Sequence, residues 1–189
     1  MKILVLDNYD SFTYNLVHYI EAIIDCDVDV YRNDKISLDD VDNYDAIVLS
    51  PGPGIPEEAG ILKPLIERYA ATKKIFGVCL GMQAIGEVFG AKLLNTKKVY
   101  HGVATTMTLT AEKSDLFLNI PEQFQAGRYH SWIVANENLP DTLKVTAIDS
   151  ENRIMALKHA VYNVQGVQFH PESVLTPYGK QIIENWLHN

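Results

Sequence analysis

The stretch IFGVCLGMQAIG, residues 75–86, decides how this chain folds. It begins as a short continuous apolar run, which is typical of a buried strand, and continues with apolar residues at helical spacing. A cysteine, Cys79, lies at the junction, between Gly77 and Gly81. Small residues on both sides permit a sharp strand-to-helix turn, so the stretch has the pattern of a nucleophile elbow with cysteine in place of serine.

Two interpretations of Cys79 are open on this stretch alone. Free cysteine is among the residue types most often buried, which favours a core residue in a tight turn. A helix N-terminus, however, favours the nucleophilic thiolate, and the N–H of Leu80 would point to the space where an oxyanion forms. The second cysteine, Cys26, lies between Asp25 and Asp27, where negative charge disfavours a thiolate, and we predict that it is unreactive.

Strand and helix patterns alternate on either side of this stretch. Apolar runs predict strands over 2–6, 28–31, 46–50 and 74–78, and helical spacing predicts helices over 14–23, 61–71, 82–90 and 180–189. Between residues 92 and 168, segments with a period of two predict antiparallel strands. We therefore predict one α/β domain over residues 1–189, with a flavodoxin-like, mixed and mostly parallel sheet, helices on both faces and an antiparallel extension.

Composition excludes several classes of protein. The formal net charge is −8 and the basic residues are scattered, so we expect no nucleic-acid partner. No apolar run approaches the ~18 residues of a membrane span, and the four apolar residues after Lys2 are too few for a secretory signal. Two cysteines are too few for a disulfide framework, and we expect a cytoplasmic protein. The acidic run over 25–45 is interpreted as a solvated surface, with a docking surface for a basic partner as the alternative.

Three stretches follow predicted parallel strands, at the edge where open sheets bind ligands: residues 7–11, residues 50–54 and Cys79. A phosphate cradle is one interpretation of SPGPG (50–54), although this loop lacks the Lys and Ser/Thr of a P-loop. The alternative is a rigid loop whose backbone approaches a ligand and offers an N–H to an oxyanion. We expect Ser11 and Thr13 to cap the first helix, and their loop to lie near the mouth of the site.

A nucleophilic cysteine needs a base, and the base needs an orienting group. Of the six histidines, His170 ends the strand-like segment NVQGVQF (163–169) and precedes Pro171, which favours an extended backbone at His170. Glu172 would then point the same way and lie beside the imidazole. A surface turn is the alternative for an isolated His-Pro-Glu sequence. His130, in RYHSW, is a candidate for lining a pocket.

Five motifs in order along residues 1–189 resemble those of the class I (triad-type) glutamine amidotransferases. They are LDNYDSFTYN (6–15), SPGPG (50–54), GVCLGMQ (77–83), RYHSW (128–132) and GVQFHPES (166–173). Within that family, the first and last motifs are similar to those of the glutaminase subunits of anthranilate synthase and aminodeoxychorismate synthase.

The resemblance implies a role for each matching residue. Cys79 would be the nucleophile that attacks L-glutamine, His170 the base and then the acid, and Glu172 its orienting partner. The N–H groups of Gly52 and Leu80 would form the oxyanion hole. The glutamine contacts would be Gly52, Pro53, Gly54, Gln83, Ser131 and Trp132. Two positions depart from the family pattern: Met82, where His is frequent, and Trp132, where Leu is common.

The resemblance also implies a partner. Ammonia would pass to a chorismate-binding synthase subunit (component I) that makes anthranilate for tryptophan. The alternative is a subunit of aminodeoxychorismate synthase, in folate biosynthesis, or one that serves both. No metal or cofactor is expected in this subunit, and a Mg²⁺ requirement would belong to the synthase partner. Two rivals from other classes are a flavodoxin-like module that binds phosphate on residues 10–15, and a cysteine hydrolase that acts on peptides.

Overall fold

A sheet of nine strands organises the computed structural model, which describes residues 1–189. The strands of the chain are β1 (Lys2–Asp7), β2 (Asp27–Arg32), β3 (Ala46–Leu49), β4 (Lys74–Val78), β5 (Leu93–Asn95), β6 (Val103–Leu109), β7 (Gln123–Arg128), β8 (Trp132–Val134), β9 (Leu143–Ile148), β10 (Ile154–His159) and β11 (Val164–Val167). The order in the large sheet is β2-β1-β3-β4-β11-β10-β9-β6-β7, and β5 pairs with β8 in a separate ribbon.

The large sheet has a parallel part and an antiparallel part. Strands β2, β1, β3, β4 and β11 pair in parallel, whereas β10, β9, β6 and β7 continue the sheet in antiparallel pairs. This confirms the predicted mixed sheet with its antiparallel extension. The short strand β8 was not predicted, because the motif RYHSW shows too little alternation to indicate a strand.

Helices cover both faces of the parallel part. They are α1 (Thr13–Ile23), α2 (Leu62–Tyr69), α3 (Leu80–Val88) and α4 (Gly179–His188). Side chains alternate along a strand, so Ile3 and Val5 pack with α1 and α4, whereas Leu4 and Leu6 pack with α2 and α3. Pro64 lies in the first turn of α2, where its missing N–H breaks no helical hydrogen bond. No helix has both the length and the apolar composition needed to cross a membrane.

The predicted bounds of α3 need correction. The helix begins at Leu80 rather than at Met82, because the N–H of Gln83 already donates to the carbonyl of Cys79 and closes the first turn. It ends at Val88, and Gly90 closes it with a φ of 95°, the left-handed conformation that glycine adopts readily. The expectation that Gly90 ends this helix is confirmed.

The expected capping of α1 by Ser11 and Thr13 is wrong. This helix has no side-chain cap, and the Thr13 hydroxyl donates instead to Asp7 Oδ1 at 2.9 Å. Asp10 Oδ1 accepts the backbone N–H of Phe12 at 2.8 Å. The aspartates of the loop therefore organise its backbone, as Asp commonly does in turns.

Glycines allow α3 to press onto the sheet at the elbow, residues 77–81. A Cβ at Gly77 would lie 2.5 Å from the carbonyl carbon of Gly81, and a Cβ at Gly81 would lie 2.6 Å from the carbonyl oxygen of Leu49. A Cβ at Gly166, which pairs with Gly77, would lie 2.8 Å from the Met82 side chain. These distances are too short for any side chain, so the helix approaches the strands as closely as glycine alone permits.

Gly81→Ala is expected to lower the free energy of unfolding by about 1–3 kcal/mol, because the added methyl group meets the rigid Leu49 carbonyl. Gly86→Ala, in the same helix, is the matched control. Its Cβ would meet a methyl group of Val134 at 2.8 Å, which is a side-chain contact and not a contact with backbone. The control also gains up to about 1 kcal/mol of helix propensity. Urea unfolding measures both variants, and equal losses would contradict this account of the elbow.

Candidate active site

The carboxyl edge of the parallel strands brings the predicted loops together around Cys79. This residue has a φ of 51° and a ψ of −101°, a conformation that residues other than glycine rarely adopt. Its N–H donates to the carbonyl of Val167 at 2.8 Å, and its carbonyl accepts the N–H of Gln83 at 3.0 Å. The backbone is therefore held on both sides of the strained turn, and the thiol lies at the start of α3.

The imidazole of His170 lies beside Glu172. Its Nδ1 is 2.7 Å from Oε1 of Glu172, and both side chains are buried. The N–H of His170 donates to the carbonyl of Gly127 at 2.9 Å, and the Thr176 hydroxyl donates to the carbonyl of His170 at 2.7 Å. Strand β11 ends at Val167 rather than at Phe169 as predicted, and an isolated antiparallel bridge to Gly127 on β7, together with the Thr176 bond, anchors the histidine.

Electrostatic interactions favour a protonated His170. Burial alone would lower its pKa, but the interactions with Cys79 and then with Glu172 outweigh burial and raise the pKa to about 10. The Nε2 atom is shielded from solvent and has no hydrogen-bond partner in the chain. Because Glu172 faces Nδ1, the interaction with Cys79 involves Nε2 without an aligned hydrogen bond, and a proton on Nε2 can pass to a ligand bound at the sulfur.

Aromatic rings enclose this imidazole. The ring of Tyr129 lies 4.8 Å from that of His170 between centroids, and the ring of Phe12 lies at 5.7 Å. Phe12 belongs to the loop after β1, so that loop reaches the site as expected. The hydroxyl groups of Tyr129 and Ser173 are 3.0 Å apart, which ties the ring to the segment after His170.

The glycine-rich loop packs against the elbow through Gly52. A Cβ at Gly52 would lie 2.6 Å from Cβ of Asn8 and 2.8 Å from Cδ2 of Leu80, so only glycine fits there. Leu80 is the first residue of α3, and the first N–H groups of a helix have no partner within it. Asn8 fastens the loop, because its side-chain amide donates to the Ser50 carbonyl at 2.9 Å and its N–H donates to the Ser50 hydroxyl at 2.8 Å. The two predicted oxyanion-hole residues are therefore neighbours.

A cavity of about 270 Å³ opens beside Cys79. Its lining includes every residue that was predicted to contact glutamine: Gly52, Pro53, Gly54, Gln83, Ser131 and Trp132. Leu80, His170 and Glu172 lie outside the lining. A larger cavity of about 600 Å³, bordered by residues 109–122 and Thr146, contains none of the predicted site residues. The smaller cavity is the better candidate for an active site because it is lined by Cys79, which interacts with His170.

Gln83 lies one turn into α3 and is 2% exposed. Its Nε2 donates to the carbonyl of Trp132 at 2.9 Å and to Oε1 of Gln168 at 3.2 Å. A side-chain amide has two N–H donors, and both are occupied here. The oxygen Oε1 of Gln83 remains available to accept a hydrogen bond from a ligand.

A buried ion pair supports the loop that carries Ser131 and Trp132. Arg128 donates to Asp149 at 2.8 Å and to Nε2 of His130 at 3.2 Å. Because Nε2 accepts, the proton of the neutral imidazole is on Nδ1, which donates to the Trp132 carbonyl at 3.0 Å. Burial, and then the charge of Arg128, lower the pKa of His130 to about 3, so this ring stays neutral. The expectation that His130 lines a pocket is confirmed.

The two positions that depart from the family pattern differ in their surroundings. Met82 is fully buried, packs against Gly166 and is absent from the cavity lining, so its role here is packing. Trp132 lines the cavity, and its carbonyl accepts from both Gln83 and His130. A backbone contact of this kind does not depend on which side chain occupies the position.

Sequence reasoning missed several polar residues of the site: Asn8, Arg128, Asp149 and Gln168. Three of them lie in motifs that the sequence displays, Asn8 in residues 6–15, Arg128 in RYHSW and Gln168 in GVQFHPES, but nothing local indicated their roles. Cys26 lies elsewhere, packed against the core, and burial followed by Asp27 and Asp25 raises the pKa of its thiol. No group of three or more His, Cys, Asp and Glu side chains is arranged to hold a metal ion.

An elbow cysteine with a buried histidine–glutamate pair, at the carboxyl edge of a parallel sheet, defines an α/β protein with a cysteine-centred site. The chain belongs to the class-I glutamine amidotransferase family, whose sequence profile matches residues 4–189.

Individual relatives cover nearly the whole chain. The bifunctional protein TrpGD of Thermotoga maritima is 44% identical over 190 residues, which are 99% of this chain and 32% of that protein's length. Anthranilate synthase component 2 of Cyanophora paradoxa is 43% identical over 98% of each chain. Aminodeoxychorismate/anthranilate synthase component 2 of Bacillus subtilis is 42% identical over 98% of this chain and 95% of its own. A crystal structure described as that of a GMP synthase subunit from Thermoplasma acidophilum is 26% identical, with a TM-score of 0.87 over 99% of this chain and 92% of that one.

Proposed function

We propose that this chain is the glutaminase subunit of an anthranilate synthase. It hydrolyses L-glutamine to glutamate and ammonia, and the ammonia passes to a chorismate-binding synthase subunit. The observation that carries the proposal is the cavity that joins Cys79 to Gln83 and Trp132, with the His170–Glu172 pair acting on the same cysteine. The names of the relatives support the pathway.

The first step is attack by the Cys79 thiolate on the carboxamide carbon of glutamine. The raised pKa of His170 favours its imidazolium form, which is the partner that a thiolate nucleophile needs. The carboxamide oxygen becomes an oxyanion, which the N–H groups of Leu80 and Gly52 stabilise. The loss of one such donor lowers the rate by about 10²–10³ in other acyl-transfer enzymes.

His170 then donates its proton to the departing nitrogen, the C–N bond breaks, and ammonia leaves a thioester on Cys79. The neutral imidazole next takes a proton from water, and the water oxygen adds to the thioester carbon. Collapse of this second intermediate breaks the C–S bond, releases glutamate, and restores the thiolate and the imidazolium. Glu172 accepts from Nδ1 throughout and keeps Nε2 directed to the reacting atoms.

Recognition of the substrate follows from the free oxygen of Gln83. Its two N–H groups are occupied, so the side chain can only accept, and an α-ammonium group is a matching donor. The backbone of Ser131 and Trp132 and the loop over 52–54 surround the rest of the amino acid. A volume of about 270 Å³ lies below the roughly 300–1,000 Å³ of sites for drug-sized ligands, in keeping with a single amino acid.

The proposed protein partner is a chorismate-binding synthase subunit, component I. The relatives' designation as component 2 supports a second component. We propose no cofactor or metal for this subunit, and we assign any Mg²⁺ requirement to the partner. The proposed location is the cytoplasm, in keeping with two free thiols.

The second candidate is the same reaction in service of aminodeoxychorismate synthase, or of both synthases. The Bacillus subtilis relative carries both names, which favours keeping this candidate.

A flavodoxin-like phosphate binder is disfavoured by the loop after β1. Its carboxylates, Asp7 and Asp10, already accept the nearby N–H and hydroxyl donors that a phosphate would need.

Cys79→Ala should reduce glutamine-dependent synthesis by the complex roughly 10³-fold or more, because no other group can form the thioester. Synthesis from added ammonium salt should persist, since the partner is intact. The matched control is Cys26→Ala, which should leave both activities unchanged because Cys26 lies outside the cavity. Product formation is measured with each nitrogen source. Glutamine-dependent synthesis by the Cys79→Ala complex would refute the assignment of the nucleophile.

The pathway is tested by identifying the product. The chain is mixed with each candidate synthase component, chorismate and glutamine, and the product is separated by chromatography. Anthranilate is the expected product. Formation of 4-amino-4-deoxychorismate alone would overturn the pathway but leave the glutaminase assignment intact, whereas both products would identify a shared subunit.

A further inference from the structure

Gln168 is a buried polar residue that the proposed mechanism does not use. It lies between the end of β11 and His170, and its side chain is fully buried. Its amide contacts two groups of the site: Nε2 donates to the Cys79 sulfur at 3.5 Å, and Oε1 accepts from Gln83 at 3.2 Å. A buried amide is stable only when its polar atoms are paired, so both contacts constrain it.

The orientation of the Gln168 amide is set by Gln83 and by the Trp132 carbonyl. The carbonyl of Trp132 can only accept, so the atom of Gln83 that faces it at 2.9 Å must be the nitrogen. The same nitrogen faces Gln168, which must therefore present its oxygen. The nitrogen of Gln168 is left facing the sulfur. A flipped Gln168 would place two donors against each other and an oxygen against the sulfur.

We propose that Gln168 is a positioning residue for the nucleophile, which holds the Cys79 sulfur through an N–H donor whose direction is set by Gln83 and the Trp132 carbonyl. This inference rests on the proposed function, because it takes Cys79 to react as a thiolate. An N–H donor stabilises a charged acceptor more than a neutral one, so the contact favours the thiolate and fixes its direction. The walls of the glutamine pocket and the reacting atom thus belong to one chain of hydrogen bonds.

Other titratable groups also act on the sulfur or line its cavity, and the test must leave them unchanged. The segment after β11 contributes His170 with Glu172, and the opposite wall contributes Tyr100, His101, Tyr129 and His130. Gln168→Glu replaces none of these residues and keeps the shape of the side chain. In its ionised form it presents an acceptor and a negative charge to the sulfur in place of the N–H donor, whereas Gln168→Met presents neither a donor nor a charge.

The experiment is alkylation of Cys79 by iodoacetamide as a function of pH, in the full chain with Cys26→Ser, followed by peptide mass spectrometry. Gln168→Glu should slow alkylation at neutral pH by about 10- to 100-fold and move the midpoint of its pH dependence upward. Gln168→Met removes the donor without adding a charge, and it should slow alkylation about 10-fold. The matched control is Gln165→Glu on β11, where the side-chain oxygen already accepts from Ser114 and does not contact Cys79. In this control Cys79 should be alkylated at the native rate.

Native rates and midpoints in both Gln168 variants would overturn the proposal. Thermal unfolding establishes whether each variant is folded. If Gln168→Glu does not fold, a native alkylation rate and midpoint in Gln168→Met alone would overturn the proposal. Alkylation needs no glutamine, so the result does not depend on the substrate. Glutamine hydrolysis by the native complex is measured separately. If the native complex does not hydrolyse glutamine but alkylation is slowed in the variants, the proposed function is contradicted and the role of Gln168 is supported.

Discussion

The backbone of Cys79 is held in a conformation that is unfavourable for any residue with a side chain, and the rest of the site is arranged around it. Such a conformation costs about 1–3 kcal/mol. The hydrogen bonds to Val167 and Gln83, together with the close packing of Gly77 and Gly81, offset that cost. Because α3 begins directly after the cysteine, the same turn makes Leu80 the first helical residue, whose N–H has no partner within the helix, and places Gln83 one turn further on.

Two buried histidines near this turn have pKa values that are shifted in opposite directions. His170 interacts with Cys79 and Glu172, and its pKa is raised to about 10, whereas His130 is buried next to Arg128 and its pKa is lowered to about 3. Environments that separate two pKa values in this way assign different tasks to similar groups. One histidine can carry a proton to a ligand, and the other serves as a fixed neutral donor to the Trp132 carbonyl.

Much of this arrangement could be predicted from short-range patterns. The apolar runs indicated the parallel strands, and the Gly-x-Cys-x-Gly spacing indicated the elbow, because both depend on local backbone geometry. Glu172 does lie beside His170 as predicted, but residues 170–173 form a turn, closed by the Ser173 N–H on the His170 carbonyl, instead of the expected extended backbone. The groups that were missed depend on contacts distant in sequence. Arg128 and Asp149 form a buried pair across 21 positions, and Asn8 fastens Ser50 across 42, and no local pattern encodes such pairings.

If Cys79 is a nucleophile in a pocket shaped for glutamine, an electrophile that resembles glutamine should react with it selectively. The most direct measurement is labelling of the full chain with a glutamine analogue that has a chloroketone in place of the carboxamide, followed by peptide mass spectrometry. We expect one label per chain, on Cys79 and not on Cys26, with a rate that falls as glutamine is added. Labelling of Cys26 at a similar rate, or labelling of Cys79 that glutamine does not slow, would contradict this expectation.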